Sequence, residues 1–177
     1  QVLKEISDIF PFHASVSAEV VGDSVEEMLE MADDYIEIGP NITIKVPLTP
    51  EGLKVCKDLS TDDVAVNVTL CFSTAQAILA AKAGATYVSP FVGRVNDQSF
   101  DGIKLIEEIS DVYATHKQKT QVLAASIRDV HQVASCFRVG ADICTIPDKI
   151  FSGMYKHILT DQGLKKFDED WSKLVGG

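Results

Sequence analysis

With 177 residues and 46% of them hydrophobic, the chain can bury one sizeable core but is too short to divide comfortably into two domains, so a single domain over residues 1–177 is expected. Its formal charge of −10, with no stretch that gathers Lys and Arg, argues against nonspecific attachment to nucleic acid or to an anionic membrane surface, and any phosphate must be gripped locally. There is no charged-then-apolar leader and no apolar run near the ~18 residues of a membrane span, which leads to the expectation of a soluble, cytoplasmic protein.

In chain order, strand-like runs occupy residues 13–20, 41–46, 64–71, 86–92, 121–126 and 142–147, and amphipathic helical patterns fill the gaps. Helix starts are marked by Asp23 or Ser24, by Thr49-Pro50-Glu51 and by Ser73-Thr74, the last before an alanine-rich turn that suggests close helix packing. Gly39, Gly84 and Gly140 stand where helices should stop, and a last helix is expected over about residues 160–174. Alternating strands and helices imply a parallel sheet, closed as a barrel or open and doubly wound. No GxGxxG or GxxxxGK[ST] loop follows a strand, which favours an α/β fold of the TIM (β/α)8-barrel type with about six of its eight βα units present.

Lys45 is the most telling residue. It lies inside the β-branched run Asn41-Ile42-Thr43-Ile44-Lys45-Val46-Pro47, where a buried ammonium is costly unless it is paired or neutral. An amine pushed toward neutrality by burial can attack a ketone; the plain alternative is an edge-strand lysine facing water. Strand alternation places Lys45 with Thr43, Asn67 with Thr69, Ser17 with Glu19, and Ser89 with Phe91 on shared faces. A structural barrel interior would carry Val, Ile and Leu, so Glu19, Lys45, Thr69 and Ser89 near strand C-terminal ends read as a site, although each has an ordinary explanation taken singly.

The series Ile44-Lys45-Val46-Pro47-Leu48-Thr49, Asn67-Val68-Thr69-Leu70, Ser89-Pro90-Phe91-Val92-Gly93-Arg94 and Ala125-Ser126-Ile127-Arg128 resembles the small-subunit transaldolases, close relatives of fructose-6-phosphate aldolase. The resemblance extends over essentially the whole chain, to the segment ending Phe167-Asp168-Glu169-Asp170-Trp171. It implies that Lys45 is a Schiff-base lysine that takes the C2 ketone of a sugar phosphate and holds the dihydroxyacetone unit after C3–C4 cleavage, a transaldolase step of the pentose phosphate pathway needing no cofactor. It further implies that Glu19 and Thr69 position a catalytic water, that Asn67 and Ser89 contact the substrate, and that Arg94, Ser126 and Arg128 bind its phosphate. Phe91 is also a substrate-binding position: aldolases releasing free dihydroxyacetone resemble this chain but carry tyrosine there and glutamine at position 19, so Glu19 with Phe91 points to transaldolase.

One departure from the family pattern concerns the front of the chain. Residues 1–6 look like the helix before a third barrel strand, and relatives carry a catalytic aspartate and an asparagine on the two preceding strands; no residue here matches either, and neither role is assigned. Truncation, processing, or strands supplied by a neighbouring subunit are all compatible with this. A sheet with open edges should associate, so a homo-oligomer is expected. The sequence is compatible with a transaldolase, with an aldolase releasing dihydroxyacetone, or with an inactive fragment.

Other conspicuous residues have plain readings. Cys56, Cys71, Cys136 and Cys144 lack CxxC spacing and sit in apolar surroundings, as small core residues in a reducing compartment. His13, His116, His131 and His157 have no companions at metal spacing, so no metal is expected, and the acidic runs read as solvated helix faces.

Overall fold

A computed structural model describes residues 1–10 and 14–176. In chain order the elements are α1 Val2–Ile9, β1 Val16–Glu19, α2 Val25–Ile36, β2 Ile42–Pro47, α3 Pro50–Thr61, β3 Val66–Cys71, α4 Thr74–Ala83, β4 Tyr87–Pro90, α5 Val92–Asp97, α6 Gly102–Thr115, β5 Gln121–Ala124, α7 Val130–Arg138, β6 Ile143–Cys144, α8 Asp148–Gly153 and α9 Ile158–Val175. The strands form one parallel sheet in the order β1-β2-β3-β4-β5-β6, a curled partial barrel with helices between successive strands. The βα rhythm and the barrel class expected from the sequence are therefore present, with six strands among the described residues.

The helix starts follow from side-chain chemistry. Ser24 accepts from Glu27 N–H, Thr49 from Gly52 N–H ahead of Pro50, and Ser73 from Gln76 N–H, each satisfying a donor that the first turn leaves unpaired. Of the two starts proposed for α2, Ser24 is the cap, while Asp23 N–H donates to Glu27 Oε2 at 2.9 Å. Gly84 closes α4 at φ 93°, a left-handed conformation that a Cβ would oppose. The alanines of α4 serve packing, as expected: Ala77 and Ala80 are fully buried, and Tyr113 on α6 donates its hydroxyl to Ala77 O at 2.6 Å.

β2 keeps the six-residue length of its run, shifted by one position, whereas the other strands are shorter than the sequence runs suggest, for local reasons. The first expected run begins at His13, which lies outside the described residues; of its described part, residues 14–20, only Val16–Glu19 is strand. The 86–92 run breaks at Pro90: Phe91 C=O accepts from Val95 N–H at 3.0 Å, so Val92 opens α5 instead of extending β4. The 121–126 run stops at Ala124 because Ser126 adopts φ 60°. The 142–147 run retains only Ile143–Cys144, paired on one side with β5, and α9 extends slightly beyond the expected 160–174 at both ends.

The two faces of the sheet differ in chemistry. Ile44, Val46, Val66, Val68, Val88 and Val122 are at most 1% exposed and form the core beneath the helices, whereas the residues between them, Thr43, Lys45, Asn67 and Ser89, turn polar groups to the concave side. Burial pushes the Cys56 thiol up to about 12 and the Cys71 thiol up to about 11, consistent with small core residues. Cys144 differs from that expectation: it is only half-buried, and a hydrogen bond with the buried Cys136 thiol holds it below the usual thiol range. No described helix is long and apolar enough to cross a membrane.

Candidate active site

Parallel register aligns the polar strand ends. Glu19 on β1 is the Cα partner of Lys45 on β2, and Lys45 is in turn the partner of Asn67 on β3. Lys45 Nζ donates to Glu19 Oε2 at 2.8 Å. Because β2 is hydrogen-bonded to β1 on one side and β3 on the other, the edge-strand reading of this lysine is excluded. The expectation of a buried amine is corrected as well: the strand is buried, but the Lys45 side chain keeps 26% exposure and that of Glu19 46%. The concave face opens at the strand ends, so the amine is relieved by a carboxylate partner and solvent rather than sealed in. An ion pair this exposed contributes about 1 kcal/mol or less, and parting it to free the amine costs little.

Deeper on the same face the polar groups are closed off. Thr43, Asn67, Thr69 and Ser89 are between 1% and 3% exposed. Ser89 Oγ donates to Asn67 Oδ1 at 2.7 Å, and the hydroxyls of Ser15 and Thr43 share a hydrogen bond at 2.6 Å. Thr69 Oγ1 is buried with no hydrogen-bond partner among the described residues. Leaving a hydroxyl so costs about 1–3 kcal/mol unless a small molecule satisfies it. A cavity of about 230 Å³ joins Asn67, Thr69 and Ser89 to Lys45, with Ser17 and Phe91 and, from the neighbouring strand ends, Leu123, Ala125, Ser126 and Thr145 completing its lining.

Backbone geometry at two points shapes this cavity. Leu70 adopts φ 62° inside β3, where the register with β4 shifts between Val68 and Cys71. The extra residue keeps Thr69 at the cavity while Cys71 re-enters the register opposite Pro90. Ser126, also in the left-handed region, ends β5 beside the cavity. Of the five described non-glycine residues with positive φ, Leu70 and Ser126 flank this cavity, and their conformation is imposed by the surrounding packing.

Six of the nine residues singled out from sequence, Lys45, Asn67, Thr69, Ser89, Phe91 and Ser126, line this one cavity, and Glu19 reaches it through Lys45. The two arginines do not line it. Arg94 places its guanidinium over the Phe91 ring, 4.6 Å from the centroid, and Phe91 packs edge-to-face on Phe72. Arg128 makes a bidentate ion pair with Asp97. Both arginines nevertheless flank the wall formed by Phe91 and Ser126: Arg128 Nε and Ser126 Oγ lie 2.7 and 2.9 Å from the point where a Cβ on Gly93 would stand. Asp97 and Thr145 escaped the sequence reading. Thr145 has a signal in hindsight, since it follows β6 as Ser126 follows the end of β5; Asp97 has none beyond standing four residues after Gly93.

A partial β/α barrel with a paired lysine and buried hydroxyls at the C-terminal ends of its strands has the architecture of barrel enzymes, whose chemistry sits at that end of the sheet. The sequence pattern described as Transaldolase/Fructose-6-phosphate aldolase matches residues 1–177. The chain is 51% identical over 173 residues to a protein named "Probable transaldolase" from Paracoccus denitrificans (strain Pd 1222), covering 98% of this chain and 79% of that relative. A relative of the same name from Cereibacter sphaeroides (strain ATCC 17025 / ATH 2.4.3) is 51% identical, with 98% of this chain and 78% of the relative covered. A third, from Caulobacter vibrioides (strain NA1000 / CB15N), is 46% identical over 97% of this chain and 78% of its own length. The chain belongs to the transaldolase/fructose-6-phosphate aldolase family.

Proposed function

We propose that this chain is a transaldolase that moves a dihydroxyacetone unit from a ketose phosphate to an aldose phosphate through a Schiff base on Lys45, as in the pentose phosphate pathway. The observation that carries the reading is the Lys45–Glu19 pair at 2.8 Å over a cavity whose deep wall holds the Thr69 hydroxyl, which has no partner among the described residues. Glu19 accepts a proton from the ammonium and frees the amine to attack C2 of the ketose; loss of the C2 hydroxyl as water then gives the iminium. Glu19 and Thr69 together offer a carboxylate and a hydroxyl to one water, which shuttles the protons of carbinolamine formation and dehydration. As the C4 hydroxyl gives up its proton and becomes the carbonyl of the departing aldose phosphate, the electron pair of the C3–C4 bond passes into the iminium and leaves an enamine on Lys45; the enamine attacks the acceptor aldehyde, whose oxygen takes up a proton, and water hydrolyses the new iminium to release the product ketose phosphate. The Ser89 hydroxyl donates to Asn67 and keeps lone pairs for the hydroxyls of the bound three-carbon unit. Arg94, Ser126 and Arg128, beside the Phe91 wall, are assigned to the phosphate.

Borohydride reduction with fructose 6-phosphate tests this directly, because it traps an imine even without turnover. A stable adduct on Lys45, lost in Lys45→Ala and in Lys45→Arg, is expected; arginine keeps the charge but not the nucleophile. Undiminished adduct in either variant would overturn the assignment. Chromatographic analysis of products separates transfer from release of free dihydroxyacetone.

The same reading extends to assembly and location. The whole of α9 has no buried residue, and Leu164, Phe167, Trp171 and Leu174 make one apolar stripe along it, so self-association through this helix is proposed. The cytoplasm is proposed as the compartment, in keeping with free cysteines at all four positions.

A further inference from the structure

The helix α5 presents Gly93 and Asp97 four residues apart, hence on one face, and the Arg128 side chain lies along that face. Its backbone N–H is tied to Gln132 Oε1 at 3.0 Å, and its two Nη groups both bond the Asp97 carboxylate, so the side chain is fixed at each end. An end-on pair of this kind leaves Nε–H and one N–H on each Nη free. Nε, without a partner among the described residues, packs over Gly93 near Ser126 Oγ, in space that a Cβ at residue 93 would take. Arg128 is half-exposed, with 50% of its side chain accessible, so without Asp97 its tip would sample many rotamers in solvent.

We propose that Asp97 is a positioning residue for phosphate recognition: it holds Arg128 so that the Nε edge, together with Ser126 Oγ above Gly93, faces the phosphoryl group of the sugar. This rests on the assignment of Arg128 to the phosphate. The carboxylate touches no substrate, and its effect runs entirely through Arg128. It also offsets one positive charge, which disfavours capture of arbitrary anions by an unpaired arginine.

The test compares borohydride trapping of fructose 6-phosphate with trapping of unphosphorylated dihydroxyacetone, by intact mass, in Asp97→Asn, Arg128→Ala and the double variant. Asp97→Asn should raise the half-saturating concentration of fructose 6-phosphate about two- to fivefold, the scale of a well-oriented exposed ion pair, with the maximal adduct yield kept. Dihydroxyacetone trapping should not change, which also reports that the variant folds. In the Arg128→Ala background the same substitution should add nothing, since its route is gone. Unchanged or tighter fructose 6-phosphate saturation, an equal loss for dihydroxyacetone, or a further loss on top of Arg128→Ala would each overturn the proposal. The assignment of Arg128 fails separately: in that case Arg128→Ala alone affects both ligands alike.

Discussion

At the scale of single residues, the role proposed for Thr69 sets function against stability. Its hydroxyl is buried without a partner among the described residues, so Thr69→Val removes an unsatisfied group while keeping the shape. Thermal unfolding should show a stability equal to or up to about 2 kcal/mol above that of the parent, while the rate of imine trapping falls at least about tenfold. A drop in stability, or trapping at the parent rate, would contradict the role given to this hydroxyl. Phe91 offers a second test. Its ring borders the cavity and carries the Arg94 guanidinium, and a phenolic hydroxyl added by Phe91→Tyr would bring a proton donor toward the bound three-carbon unit. The expected result is more free dihydroxyacetone relative to transfer product; an unchanged ratio would show that residue 91 does not set the reaction type.

At the scale of elements, the joint between α5 and the end of β5 holds the wall of the site. Val92 and Gly93 donate their N–H groups to Ala125 O and Ser126 O at 3.0 and 3.1 Å, and a Cβ on Gly93 would stand 2.3 Å from Ser126 O. That contact is with backbone and cannot be relieved by a rotamer. Gly93→Ala should therefore cost about 1–3 kcal/mol in denaturant unfolding, and should weaken fructose 6-phosphate more than dihydroxyacetone in trapping because Ser126 and Arg128 shift together. Stability within about 0.5 kcal/mol of the parent would mean that the joint yields more easily than its geometry implies.

At the scale of the whole molecule, α9 leaves its apolar stripe uncovered by the described residues. Phe167 is 70% exposed and Trp171 66%, values at odds with residues of that size unless another surface covers them. Sedimentation velocity should show concentration-dependent association of the parent chain, and Phe167→Asp with Trp171→Asp should shift it to monomer while leaving the sheet's circular dichroism intact. A parent that sediments as a monomer at all concentrations would remove the case for self-association through α9.

What the sequence determined by itself was everything that depends on neighbours along the chain. Capping by Thr49 and Ser73, a helix start at Asp23 or Ser24, the stop at Gly84, and the alternation that puts Lys45, Asn67, Thr69 and Ser89 on one face are local rules, legible because period and cap chemistry act within a few residues. The family resemblance supplied roles to those positions, and most of them meet in one cavity. Only the tertiary structure decided the rest. Glu19 and Lys45 are 26 residues apart, and Asp97 and Arg128 are 31, so their pairing depends on strand register and on the docking of α5 against β5. The left-handed Leu70 and Ser126 have no local signature, since neither residue type prefers that conformation; the register shift at β3 and the packing at the end of β5 impose it. The half-open setting of Lys45 has the same origin, because a strand's hydrophobicity says that it is buried, while its place at the mouth of a curved sheet says which side chain remains within reach of a substrate.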